Sequence, residues 1–179
     1  MFRDEQLRQK LEAFLRPVYQ DLDGSSRLDE VERIGDLAHP LYAPSNPAEA
    51  RAFELLLAFH LLGSWLEKVG NISRTVLTIG EIDEADLRRT AASIRRLDDP
   101  ASDAERAVAT AVLVDGSGVR GLAERFASAR REGRTLAEVA REALREREVP
   151  EWLSPDARPE LERRREFREA FCRQLLEET

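Results

Sequence analysis

From Phe53 to Leu66 the apolar positions go nearly all the way round a helix instead of keeping to one stripe. Such a helix lies in the middle of a protein or in a membrane. Arg51 and Glu54 on one side and Glu67 and Lys68 on the other leave an apolar run too short for a bilayer. The pattern therefore predicts the central core helix of a soluble domain. Asn46 as N-cap and Pro47 at the first helical position start it, and Gly70-Asn71 closes it.

The other segments are one-sided. Leu7, Leu11, Phe14, Leu15, Val18, Tyr19 and Leu22 recur at helical spacing, with Pro17 as a kink or break. Ser26 caps a second helix whose buried face is Leu28, Val31, Ile34, Leu37 and Ala38, ended by His39-Pro40. Residues 72–80 include the β-prone run Thr75 to Ile79, but no second run exists to pair with it, so a short helix is expected. Asp83 caps a helix carrying Leu87, Ala91, Ile94 and Leu97 that stops before Pro100.

Ser102 and Glu105 make a capping box for a helix through Val114, and residues 115–118 form a turn. The next helix carries Val119, Leu122, Ala123 and Phe126 and ends at Gly133. Thr135 and Glu138 form a second capping box, for a helix to about residue 148. Ser154-Pro155 begins the last helix, with Pro159 delaying it by a turn, and Leu161, Phe167, Phe171 and Leu175 supply its apolar contacts. The expectation is an all-α, single-domain bundle over residues 1–179 with about seven to nine helices. A helix within 1–22 packs on it, and a helix over 154–178 closes it.

Composition narrows the function. Charged residues are 35% of the chain and the net charge is -7, which argues against a nucleic-acid or membrane-surface binder. Lysine occurs only at Lys10 and Lys68, arginine taking its place, yet no arginine cluster stands free of acids. The single cysteine, Cys172, excludes a disulfide within one chain. The charged start, Met1 to Glu5, lacks the apolar segment of a signal peptide, so a cytoplasmic location is expected.

Familiar catalytic motifs are missing: no Gly-rich phosphate loop, no Ser nucleophile elbow, no zinc-binding His-Glu-x-x-His. Gly116-Ser117-Gly118 ahead of a helix could cradle an anion, but an ordinary inter-helix turn accounts for it better. His39, at a helix end, reads as a C-terminal cap. His60 lies where only hydrocarbon is otherwise expected. A buried imidazole must satisfy its nitrogens, so it is either a core histidine bonded to a carbonyl or carboxylate, or the remnant of a metal site.

Several stretches together resemble the HD-domain superfamily of metal-dependent phosphohydrolases, in its short single-domain bacterial branch. Glu30 to Ala38 is similar to the first motif, and Leu57 to Leu62 to the apolar run ending in the His-Asp dyad. Pro100-Ala101-Ser102 with Glu105 resembles a P-x-S-x-x-E opening. Gly118 to Ala123 with Phe126 resembles G-x-x-G-I-A…F. Arg164, Phe167, Phe171, Gln174, Leu175 and Glu178 fit the family's ending. The resemblance implies an orthogonal helical bundle with a metal held by residues from separate helices, where bound water attacks a phosphate ester.

The departures fall on that chemistry. The first-motif histidine corresponds to Glu30, the dyad to His60 and Leu61, and the late aspartate to Thr110, with Val112 at the acid that follows. Asp115 lies about 140° round a helix from Thr110, so it does not restore a ligand. The resemblance thus implies a degenerate member with no catalytic residue, metal or cofactor. Glu30, Arg33, His60, Leu61, Thr110 and Asp115 would line the old cleft, with Glu30 and His60 within hydrogen-bonding reach. The expected activity is binding of a protein partner or a small ligand, a phosphate-bearing one included, without hydrolysis. The alternatives are a weak phosphohydrolase with a rearranged site, and a structural domain that forms homodimers.

Overall fold

The computed structural model describes residues 5–23, 26–63, 82–146 and 148–178. Among them are eight α-helices and no strand, so the chain is all-α. The predicted short helix at 72–80 and the Gly70-Asn71 stop lie outside the described residues. No described helix is long and apolar enough to cross a membrane. The chain divides into two compact units, Met1–Ala109 and Thr110–Thr179.

The first unit holds α1 (Glu5–Asp23), α2 (Ser26–Ala38), α3 (Pro47–Phe59), α4 (Glu84–Arg95) and the start of α5 (Asp103–Gly116). Helix α1 continues past Pro17, so the proline does not end it. Leu7, Leu11, Leu15 and Tyr19, four residues apart, form the stripe of α1 that meets Leu55, Phe59 and Leu62, with Ile82 and Leu87 completing the core. Helix α3 starts as its sequence dictates: the Asn46 side chain accepts from the Glu49 amide, with Pro47 in the first turn. Every residue from Phe53 to His60 is buried, Glu54 included.

The apolar run does not stay α-helical, however. At His60 it tightens into a 3-10 turn, His60–Leu62. The His60 ring contributes: its Nδ1 lies 2.7 Å from the Leu57 carbonyl, which a continued α-helix would offer to the Leu61 amide.

Asp83 caps α4 by accepting from the Asp86 amide. The capping box of α5 is reciprocal, the Ser102 hydroxyl accepting from the Glu105 amide and Glu105 accepting from the Ser102 amide. Glu105 also accepts from the Ala101 amide and the Arg96 guanidinium. Burial opposes its charge most strongly, but the bonds from Arg96, Ser93 and the two amides outweigh it and hold the carboxyl at a pKa of about 2.

The second unit holds the rest of α5, then α6 (Val119–Arg131), α7 (Leu136–Arg145) and α8 (Arg158–Glu178). Gly133 at φ 73 ends α6 as expected. The Arg134 amide donates to the Ala129 carbonyl and the Gly133 amide to that of Arg130, the two bonds of a Schellman cap. A Cβ on Gly121 would sit 2.0 Å from the Gly116 carbonyl oxygen, so only glycine lets α6 approach the end of α5 this closely.

The Thr135–Glu138 capping box opens α7. That helix stops at Arg145, short of the expected end near 148, because Glu146 is extended and the buried Arg168 takes its carbonyl and carboxylate. A 3-10 turn, Pro155–Ala157, precedes α8, so the last helix does start a turn late.

One core cluster of this unit is rich in small residues: Ala129, Ala140, Ala143 and Cys172, with Leu122 and Val139. Two of its phenylalanines are not inside. Phe167 is 66% exposed, contrary to the apolar contact predicted for it, whereas Phe171, 41% exposed, contacts Phe126. Ala123 and Val119 also face solvent. Helix α8 instead buries Leu161, Arg168 and Cys172.

Candidate functional site

The histidine–carboxylate contact of the first unit is built at a place the sequence reading assigned to a helix cap. Helix α2 delivers His39 just past its end, and α3 delivers Glu54 from its all-buried stretch. His39 Nε2 lies 2.9 Å from Glu54 Oε1, and Nδ1 lies 2.6 Å from the Gly35 carbonyl oxygen. The ring sits edge-on to Phe53, at 5.5 Å between centroids. Both groups are more than nine-tenths buried.

The stereochemistry fixes much of the proton inventory. A carbonyl can only accept, so Nδ1 carries a proton. One further proton lies between Nε2 and the carboxylate, giving either an imidazolium beside a carboxylate or a neutral imidazole beside a carboxylic acid. In either form both ring nitrogens are engaged, and His39 has none left to take a proton from a substrate.

Beside this pair is a cleft of about 50 Å³. Its volume admits a few water molecules or the end of one side chain. Glu54, Leu57 and Ala58 of α3, Val31, Glu32 and Gly35 of α2, and Leu15 and Tyr19 of α1 line it. Arg8 and Glu12 stand on the α1 side. The Tyr19 hydroxyl donates to the Ala58 carbonyl at 2.7 Å, so the wall's phenol is held too.

The six residues singled out in the sequence divide between the units. Glu30 and Arg33 are half-buried on α2. His60 is buried, its Nδ1 on the Leu57 carbonyl, as for a core histidine bonded to backbone. Leu61 packs against the same core cluster as Val31, the neighbour of Glu30. None of these four lines the cleft, although residues beside them do. In the second unit Thr110 is fully buried, and its hydroxyl accepts from the Ser154 amide at 3.3 Å. Asp115 is buried and faces Arg164, at 3.5 Å. Among the described residues no group of three or more His, Cys, Asp or Glu side chains is placed to hold a metal ion.

The pair that sequence reasoning missed had one signal. Glu54 is an acid inside a run that goes apolar all round, and a charge there requires a partner. No family model, curated protein or solved structure matches this chain.

Proposed function

We propose that this is a non-catalytic protein of HD-like build that acts by binding rather than by metal-dependent hydrolysis. One observation carries the reading: the Thr110 hydroxyl, Nδ1 of His60 and both ring nitrogens of His39 are engaged in the chain's own bonds. Thr110 accepts from Ser154, His60 holds the Leu57 carbonyl, and His39 holds Gly35 and Glu54. A hydrolytic centre needs the opposite, lone pairs left open toward a metal or a substrate.

The cleft beside His39 is the binding position this reading favours. Of its acids, Glu12 is paired with Arg16 and Glu54 with His39, so the cleft holds no cationic excess for a phosphate and suits the polar tip of a partner's side chain.

Elemental analysis of protein purified without chelator, paired with turnover of a generic phosphate ester in added manganese, tests the proposal. The expected result is no near-unit metal and no turnover above that of His60→Ala. Near-unit metal that disappears in His60→Ala overturns it.

A further inference from the structure

The second unit carries two phenylalanines on the outside of α8. Phe167 and Phe171 are four residues apart, hence on one side of the helix, and both are exposed. Arg163, Phe167, Ala170, Gln174 and Glu178 follow at spacings of four, three, four and four, and all five are exposed. Phe126 of α6 meets Phe171 at 6.4 Å between centroids, extending the apolar surface beyond one helix.

The charges on this stripe are ordered. Arg163, paired with Glu160 of its own helix yet largely exposed, stands at its beginning, while the last turn carries Glu177 and Glu178 and no basic residue. Acids at a helix C-terminus oppose the macrodipole, so the arrangement gains nothing within an isolated helix. It gains from a cation brought alongside.

We propose that this face is the docking surface for a second copy of the same chain, the two α8 helices running antiparallel. About one two-fold axis, each Arg163 meets the other copy's Glu178, Phe167 meets Gln174, and Ala170 meets Phe171. A single register thus satisfies the charged ends and places a small residue opposite a large one, the self-complementarity that a two-fold interface requires. A uniformly acidic or basic partner would meet like charge at one end of the stripe. The net charge of -7 on each copy is screened beyond about 8–10 Å at ordinary ionic strength and does not reach across the contact. The surface belongs to the second unit and the cleft beside His39 to the first, and different side chains make them, so each proposal has its own test.

Sedimentation equilibrium of the full chain tests this. The expected mass at about 100 μM is that of two chains, with Phe167→Asp weakening association at least about tenfold. Arg163→Glu should weaken it as well, and adding Glu178→Arg should restore it. Orientation is read by oxidation: Ala170→Cys should cross-link to itself through the axis, and Arg163→Cys should not. Circular dichroism of Phe167→Asp should match the parent, since the side chain is exposed. A monomer at that concentration, or a dimer indifferent to Phe167→Asp, overturns the proposal.

Discussion

The two units invert each other's use of aromatic and charged side chains. In the first, Tyr19, Phe53 and Phe59 are almost wholly buried, and a glutamate and a histidine lie among them, each bonded. In the second, alanines and one cysteine fill much of the core while Phe167 and Phe171 face outward. Alanine-rich faces bring helices close together and leave no room between them for a phenyl ring. Arginines do the tying there: Arg168, itself buried, clasps the carbonyl and carboxylate of Glu146, and Arg125 pairs with the same glutamate. One unit is therefore stabilised by burying large rings around a locked polar pair. The other is stitched by guanidinium groups around a core rich in small residues, with Phe167 and Phe171 left at the surface.

The sharpest way to break this contrast is at the polar pair. Removing only His39 or only Glu54, each by alanine, should cost roughly 3–5 kcal/mol because the other is left buried and uncompensated. The double change His39→Leu with Glu54→Leu should cost less than the sum of the singles. Chemical denaturation of the four proteins checks it, and simple additivity would show that the two groups are not coupled.

The second unit has a comparable weak point in backbone rather than charge. Gly121→Ala drives a methyl group into the Gly116 carbonyl and should cost about 3 kcal/mol, the upper end of overpacking. A thermal melt unchanged by that substitution would mean that α6 lies further from the end of α5.

Acid separates the units further. Glu105, its side chain 2% exposed, is held near pKa 2, below the 4.5 of an ordinary glutamate. A depressed carboxylate pKa contributes stability fully above the ordinary value, and that stability is lost as pH falls through the folded one. Roughly 3 kcal/mol should therefore disappear between pH 4.5 and 2, and Glu105→Gln should remove that part of the pH profile. Glu160 of the second unit is also held at about 2, by Arg163 first and then Arg164. Its side chain is a third exposed, so its share should be below about 1 kcal/mol and should fade in high salt.

The smallest expected effect completes the comparison. At dilute protein concentration Phe167→Ala should change stability by no more than about 0.5 kcal/mol, whereas Phe59→Ala should cost about 3–5 kcal/mol. Paired urea melts would decide it, and equal losses would place Phe167 in a core.

What was legible in the sequence was mostly local. Asn46, Asp83, the Ser102–Glu105 and Thr135–Glu138 boxes and Gly133 each act within a few residues, and each is found in its predicted role. His60 was legible as a buried group needing a nearby acceptor. His39 was not, because its partner is fifteen residues away and the two meet only once α2 and α3 are packed. Helix α8 misled for a different reason. Its chain offers two stripes of similar apolar weight, and the buried one contains Arg168, whose guanidinium finds Glu146 only in the folded unit. Ranking the stripes by hydrophobicity alone selects the phenylalanines.

The proton between His39 Nε2 and Glu54 Oε1 is also a built-in gauge of opening. More than nine-tenths buried at the edge of the cleft, with both ring nitrogens engaged, the pair should exchange this proton faster when α2 and α3 part. An imidazole N–H resonance persisting in a proton spectrum would report the lifetime of the closed first unit one residue at a time. Its disappearance ahead of the amides of α6 to α8 would show that each unit opens on its own clock.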